Sequence, residues 1–253
     1  MFASSAAYDQ HVGRYGRELS RAHIAAVGIA KDDRVLDVGC GPGALTEAVA
    51  DVVGADRTCA VDPSEPFVEM CRQRVPGADV RVAKAEALPD YGAAFEVVMS
   101  QLVVNFMTDA VTGVRAMVAA AGQSGRVSSC VWDYADGMTM LRIFWDAALE
   151  LDAAAPDEGR TMRYCNPNEL QALWEGCGLR DVETDELVVR ASYANFDDYW
   201  SPFPTGLAPS GAYCAALDNE RQERLRDGCY RRLGSPTGAF ELTARAWLVH
   251  GRT

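Results

Sequence analysis

The chain has 253 residues, 49% of them hydrophobic and 24% charged, a mix that supports a sizeable core and excludes wholesale disorder and fibrous architecture. The formal net charge is −12, from 36 acids and 24 bases, which repels phosphate backbones and anionic membrane, so neither nucleic acid nor a membrane is the expected partner. No stretch approaches the roughly 18 consecutive apolar residues of a membrane span. Met1 to Gln10 lacks the basic and apolar regions of a signal peptide.

In chain order, Leu19 to Ile29 reads as a helix packed ahead of the first strand, and Arg34 to Val38 as a short buried strand running into a glycine loop. Gly43 to Val53 has helical spacing, Thr58 to Val61 is a second strand, and Ser64 caps a helix to about Val75. Asp79 to Ala83, Phe95 to Ser100 and Gly125 to Trp132 are three further strands, with a helix from Thr108 to Ala121 before the last. This alternation predicts an α/β fold: a Rossmann-like, doubly wound, mostly parallel sheet with helices on both faces. Farther on, Asn166 caps a helix with Pro167 in its first turn, running to Trp174 and ended by Gly178. Asp185 to Ala191 and Glu241 to Val249 read as the last two strands. Between them lie an aromatic, Pro-rich insert, Tyr193 to Pro209, and a helix from about Ser210 to Leu233. Asp146 to Glu186 holds 11 acids and three bases, so most of the negative charge belongs to one segment.

The eight cysteines form no Cys-x-x-Cys pair, and His11, His23 and His250 do not cluster with them. They read as free thiols of a reducing, cytoplasmic compartment, with no metal site.

The sharpest motif is the run Val35 to Gly43, containing Asp37, Gly39, Cys40, Gly41, Pro42 and Gly43. Glycines at a strand-to-helix turn let a ligand approach the backbone. Glycine spacing alone also suits a dinucleotide. Asp37, however, would repel a pyrophosphate and suits an amino acid carrying an ammonium and a sulfonium, and Pro42 removes a backbone N–H that a phosphate would use. Both features favour S-adenosylmethionine. Asp62, ending the second strand about 20 residues on, is placed to accept ribose hydroxyls. Val82 to Pro89, with Ala85 and Glu86, follows the third strand, and Ser100 to Phe106, with Gln101 and Asn105, follows the fourth.

With these motifs in register, Val35 to about Trp132 resembles the class I S-adenosylmethionine-dependent methyltransferases, in particular the small-molecule group carrying an Ala-Glu-Ala-Leu-Pro motif. The leader Tyr8 to Gly16 resembles that group's N-terminal segment. The resemblance implies a sheet of about seven strands whose last runs antiparallel. It also implies that Asp37 and the Gly39 backbone hold the methionine moiety and that Gly41 and Gly43 allow close approach. Asp62 would bind the ribose and Pro63 pack near the adenine. The Ala85 N–H and Glu86 would reach the adenine, and Gln101 would lie near the methionine amine. Tyr15, with Arg14 or Arg17, would close over the carboxylate. Two positions depart from the group: Lys84 stands where relatives have an acid, and Asn105 where many have a histidine. Asn105 orients a hydroxyl or carbonyl but does not take a proton at neutral pH.

In-line methyl transfer asks for alignment and a dry pocket more than for a special catalytic group. The expected reaction moves a methyl from S-adenosylmethionine to a small-molecule acceptor. His11 and Asn105 are the catalytic candidates, and Trp132, Tyr134, Tyr199 and Trp200 the pocket or lid candidates, while Trp145 shares helical spacing with Leu141, Phe144 and Leu149 and suits a core. The expected organisation is one domain over 1–253: a helical leader (1–30), a cofactor-binding core (31–135), and lid or substrate-side elements (136–165 and 193–235). Aminopropyl transfer, a dinucleotide oxidoreductase and a non-catalytic cofactor-binding or scaffold protein of the same fold are the competing readings.

Overall fold

A computed structural model describes residues 12–253. Its seven strands are β1 (Val35–Val38), β2 (Thr58–Asp62), β3 (Asp79–Val82), β4 (Phe95–Gln101), β5 (Ala121–Trp132), β6 (Arg180–Tyr193) and β7 (Phe240–Arg252), in the sheet order β3-β2-β1-β4-β5-β7-β6. β1 pairs in parallel with β2 and β4, β2 with β3, and β4 with β5. β7 runs the other way: the Thr253 N–H donates to the Gly125 carbonyl at 3.0 Å, and the Asp133 N–H to the Arg245 carbonyl at 3.0 Å, so numbers rise along one chain as they fall along the other. The expected antiparallel last strand is therefore present.

Every residue of β1 and β2 is buried, as strands covered on both faces must be, and this is why they read as continuous apolar runs. β6 alternates buried and exposed over Leu187 to Tyr193, the pattern of a strand covered on one face.

The helices are α1 (Gly16–Val27), α2 (Ala44–Val53), α3 (Glu65–Arg74), α4 (Ala110–Ala120), α5 (Thr139–Leu151), α6 (Glu158–Thr161), α7 (Pro167–Gly176), α8 (Phe196–Trp200), α9 (Ala208–Ala216) and α10 (Asn219–Arg232). Caps explain where sequence expectations shift. α4 begins at Ala110, not Thr108, because Asp109 is the cap, its carboxylate accepting the Thr112 N–H. The helix expected over 210–233 is two helices: Asp218 accepts the Arg221 N–H at 2.8 Å and starts α10 afresh. The Pro-rich insert contains α8, capped by Asn195 on the Asp198 N–H. β5 starts at Ala121, ahead of the expected Gly125, with a register irregularity between the Phe95 and Val97 pairings.

The chain divides into two compact units. The sheet unit comprises Gly16–Val131, Arg163–Leu187 and Ala246–Thr253, and the aromatic unit comprises described residues 12–15, Trp132–Met162 and Val188–Arg245. The sheet unit has a core cluster of Val27, Val35, Leu45, Val49, Val53, Val97 and Met99, which seats α1 and α2 on the sheet. The aromatic unit is built on ring packing. Phe144 stacks on Phe203 at 4.4 Å, Tyr193 stacks on Phe240 at 5.2 Å, and Phe196 meets Tyr199 at 5.8 Å.

Candidate functional site

Parallel register brings the carboxyl ends of β1, β2, β3 and β4 to one edge of the sheet unit. Asp37 lies opposite Ala60 and Met99, and Asp62 opposite Val82. Strand order reverses between β1 and β4, the position at which open α/β sheets leave a crevice.

Asp37 is 1% exposed. The Thr46 hydroxyl, one turn into α2, donates to its Oδ2 at 2.7 Å, and Oδ1 has no hydrogen-bond partner among the described residues. Burial pushes the carboxyl up to about 7, partly opposed by the Thr46 hydrogen bond and reinforced by the neighbouring Asp62 charge. An unmet buried acceptor costs about 1–3 kcal/mol, so this oxygen is the strongest single sign of an absent cationic or donor group. Thr46 was not singled out in the sequence, although it is a polar residue on the buried face that α2 shares with Leu45, Val49 and Val53.

The three glycines of the loop differ in what they do. All have positive φ, at 80° (Gly39), 52° (Gly41) and 92° (Gly43). A Cβ on Gly39 would overlap the Val103 side chain, and one on Gly43 would come within 2.8 Å of the Cys71 sulfur, whereas one on Gly41 would meet nothing within 4 Å. Only Gly41 thus fronts open space. Close ligand approach, expected of both Gly41 and Gly43, has room at Gly41, while Gly43 is small so that α3 packs against the loop. Cys40 is buried in the same cluster as Cys71, and the hydrogen bond between their thiols raises the Cys40 thiol and lowers that of Cys71. Gly39 and Cys40 both donate backbone N–H groups to the Val61 carbonyl, at 2.8 and 2.9 Å.

Asp62 serves the loop as well. Its Oδ2 accepts the Gly41 N–H at 2.9 Å and its Oδ1 the Ser64 N–H at 2.8 Å. Each oxygen keeps a lone pair for a further donor. Burial raises this carboxyl too. Beside Asp62 stand the exposed Pro63 and Val82, the latter a half-exposed apolar residue at the end of β3 that opens the Val82 to Pro89 motif. Ala85 is buried at the start of a single 3-10 turn. Glu86 is engaged elsewhere than expected: its Oε1 accepts the Thr108 and Asp109 N–H groups at 3.0 and 3.3 Å, tying the Ala85 turn to the loop before α4. Lys84 is exposed.

At the end of β4, Gln101 donates to the Ser20 hydroxyl at 3.0 Å, while its Oε1 is buried without a partner among the described residues. Leu102 has φ of 63°, a left-handed conformation rare for a branched side chain and typical of strained functional turns. Both amide atoms of Asn105 are buried and without partners among the described residues. Next to it, Phe106 is 58% exposed. His23 of α1 shares a hydrogen bond with the Ser128 hydroxyl at 2.8 Å, and burial lowers it to about 3, which keeps it neutral. His11 lies outside the described residues.

The remaining predicted residues belong to the aromatic unit. The Tyr15 hydroxyl meets that of Tyr193 at 3.1 Å, and its ring meets Trp132 edge-on at 5.8 Å. Trp132, Tyr134, Tyr199 and Trp200 are all buried. The Tyr199 hydroxyl donates to the Met140 carbonyl at 3.0 Å, and Trp200 and Phe203 pack together at 5.7 Å. Tyr199 and Trp200, considered as lid residues, are core of this unit: a short capped helix allows a Pro-rich segment to pack rings inward. Trp145 is core as well, its indole N–H donating to Glu158 Oε2 at 2.9 Å. Burial raises Glu158 to about 7. Asp133, after β5, accepts from Arg245 at 2.6 Å and from the Gly137 N–H at 2.9 Å. The Arg14 guanidinium lies over the Tyr193 ring at 4.0 Å and pairs with Asp198 at 3.0 Å.

The unmet polar atoms of the sheet unit, Asp37 Oδ1, Gln101 Oε1 and the Asn105 amide, all lie at or just beyond the ends of β1 and β4. With the open space over Gly41, they fit a ligand that brings an ammonium and further hydrogen-bonding groups. Among the described residues no group of His, Cys, Asp and Glu could hold a metal ion, and no helix is long and apolar enough to cross a membrane.

Residues 35–125 match the family described as "Methyltransferase domain". The chain is 28% identical over 155 residues to a ubiquinone biosynthesis O-methyltransferase of Ruegeria sp., covering 59% of this chain and 61% of that protein. Across the first curated relatives, the matched part spans between 28% and 61% of their length. Its fold is similar to that of the YcgJ protein from Bacillus subtilis, with a TM-score of 0.59 at 17% identity over 93% of this chain and 98% of that one. It is also similar to Haemonchus contortus phosphoethanolamine N-methyltransferase 2, solved with phosphomonomethylethanolamine and S-adenosylhomocysteine, with a TM-score of 0.57 at 14% identity over 93% of this chain and 52% of that one.

Proposed function

We propose, from the match of residues 35–125 to the methyltransferase domain family, that the chain transfers a methyl group from S-adenosylmethionine to a small-molecule acceptor. The observation that carries this reading is the buried Asp37 carboxylate with one oxygen unmet at the end of β1. When bound, S-adenosylmethionine supplies an electrophilic methyl on a sulfonium. Asp37 Oδ1 receives the ammonium of its methionine part, and Thr46 holds the carboxylate in place from the other side. The open face of Gly41 takes the backbone approach. Asp62 accepts ribose hydroxyls on its remaining lone pairs while anchoring the loop, Pro63 and Val82 offer apolar surface to the adenine, and the Ala85 N–H its polar edge. Gln101 Oε1 is a second acceptor for the amine.

The chemistry then rests on alignment. A fixed sulfonium and a positioned nucleophile replace a bimolecular encounter, which in good intramolecular cases lowers a barrier by about 7–11 kcal/mol. The name of the Ruegeria relative, a ubiquinone biosynthesis O-methyltransferase, supports a small-molecule acceptor, while the ribosomal protein L11 methyltransferase of Thermotoga neapolitana, 38% identical over 79 residues, is named for a protein acceptor. The net charge disfavours nucleic acid and anionic membrane as partners. Eight free cysteines, seven of them buried, support a reducing cytoplasmic setting.

Calorimetry with S-adenosylmethionine and its demethylated product tests the reading. Binding of both is the expected result, and a folded sample that binds neither overturns it. Binding without transfer to any acceptor would instead favour the non-catalytic alternative.

A further inference from the structure

β6 ends the sheet order, so among the described residues no strand pairs with its outer edge. From Glu186 its side chains alternate: Leu187, Val189, Ala191 and Tyr193 are buried, while Glu186, Val188, Arg190 and Ser192 are exposed. Two hydrogen bonds fix the direction of the backbone. The Glu186 N–H donates to Asp185 Oδ1 at 2.8 Å and the Ser192 carbonyl accepts from Arg14 at 3.1 Å, so both groups are turned away from β7. Backbone groups alternate sides along a strand, so Val188 and Arg190 turn theirs to the outer edge as well. Both ends of this edge are blunted. Asp181, at a φ of 49°, breaks the extended backbone at one end, and Arg14 covers the Ser192 carbonyl at the other. The middle is open: Val188 is 55% exposed, and the strand has neither proline nor glycine. A long edge with an apolar centre invites another strand.

We infer that this edge pairs antiparallel with the same edge of a second copy of the chain, about a two-fold axis at Val188. The sequence of the strand is self-complementary in that register. Val188 meets the partner's Val188, Glu186 meets the partner's Arg190, and Arg190 meets the partner's Glu186, all on the exposed face. On the buried face Leu187 meets the partner's Val189. Residues with outward-turned backbones then stand opposite one another, and each such pair exchanges two backbone hydrogen bonds. Centring the pair on Glu186 or on Arg190 would set that charge against its own copy, which destabilises a cross-strand pair. Charge also selects the occupant. Asp181, Glu183, Asp185 and Glu186 load one half of β6 with acids, and antiparallel self-pairing lays that half against the half that carries Arg190. A two-fold axis uses one patch twice, so the arrangement closes as a dimer. The inference is independent of the methyl-transfer reading.

Sedimentation equilibrium of the full chain across a range of concentrations tests it, with circular dichroism to show that each variant is folded. The expected result is a monomer–dimer equilibrium in the unmodified chain. Val188→Lys places two ammonium groups opposite each other and should weaken association about tenfold or more. Glu186→Arg and Arg190→Glu each set like charges across the pair and should weaken it to a similar extent. The double variant Glu186→Arg/Arg190→Glu exchanges the charges and should restore association to within about threefold of the unmodified chain, a rescue that a merely structural role of either residue would not produce. A chain that stays monomeric up to about 1 mM overturns the inference, since that Kd limit leaves no more than about 4 kcal/mol of association. A dimer indifferent to Val188→Lys, or charge variants that weaken association without rescue by the double exchange, overturn it as well.

Discussion

The two units each bury a carboxylate raised to about 7, and they treat it differently. In the aromatic unit, Glu158 faces the Trp145 indole N–H, which it accepts among closely packed rings. In the sheet unit, Asp37 is met on one oxygen by Thr46 and left open on the other. The first arrangement is what a core needs to tolerate an acid. The second pays for a carboxylate that the folded chain does not itself use. The neighbours do not divide so cleanly: Asp133 of the aromatic unit is met by Arg245 and backbone N–H groups, but the Trp132 indole N–H and the Ser210 hydroxyl of that unit are unmet among the described residues, as are amide atoms of Gln101 and Asn105 in the sheet unit. Burial alone thus does not separate the two carboxylates; the unmet oxygen of Asp37 does.

Breaking each unit in its own manner sharpens the contrast. Phe203→Ala removes a fully buried ring stacked on Phe144 and should destabilise the chain by about 3–5 kcal/mol in denaturant unfolding, while any S-adenosylmethionine affinity of the folded fraction persists. Asp37→Ala should do the reverse. Affinity for S-adenosylmethionine falls 100-fold or more by calorimetry, about 3 kcal/mol, with thermal stability little changed or improved. Between the glycines, Gly43→Ala forces a Cβ toward the Cys71 sulfur at positive φ and should cost about 2 kcal/mol of stability. Gly41→Ala, fronting open space, should cost about 1 kcal/mol of stability and show its main effect as weaker cofactor binding.

The pH dependence separates the two acids further. For both, the folded value lies above the unfolded one, so the folded chain holds protons that the unfolded chain releases. Stability contributed by the neutral acids is present below about pH 4 and is lost as pH rises toward 7. Glu158→Gln should therefore raise Tm by several degrees at pH 8 and hardly at pH 4. Asp37→Asn should do likewise in the free protein. Only at Asp37 should a cationic ligand reverse the sign. S-adenosylmethionine binding near pH 6 should release a proton, seen as a buffer-dependent heat, and affinity should rise with pH up to about 7.

Much of the sheet unit was legible in the sequence because its local signals agree. β1 and β2 are short, mostly apolar and wholly buried, and β1 runs into a glycine loop and β2 into Pro63, so the end of each strand fixes where Asp37 and Asp62 must lie. Partner choice was hidden. Nothing in Gly39-x-Gly41-x-Gly43 says that only the middle glycine faces space, since Val103 and Cys71 arrive from distant segments. Glu86 carries a family-like motif, yet its geometry is set by backbone N–H groups more than 20 residues away. Tyr199 and Trp200 read as pocket or lid candidates because composition shows prolines and aromatics, while the Asn195 cap that turns the segment into a helix and packs both rings inward is a single residue. α10 likewise depended on Asp218 alone.

The contact between Gly39 and Val103 has a consequence for the order of events. The cofactor loop and the segment carrying Asn105 share one wall with no room for a methyl group between them. A ligand that settles the loop therefore stiffens the segment after β4, and the reverse holds to the same extent, because linkage between two equilibria is reciprocal. Whatever factor by which the demethylated product tightens the binding of a ligand at the segment after β4, that ligand must tighten the product by the same factor. Replacing Val103 with alanine loosens the shared wall and should weaken both effects together.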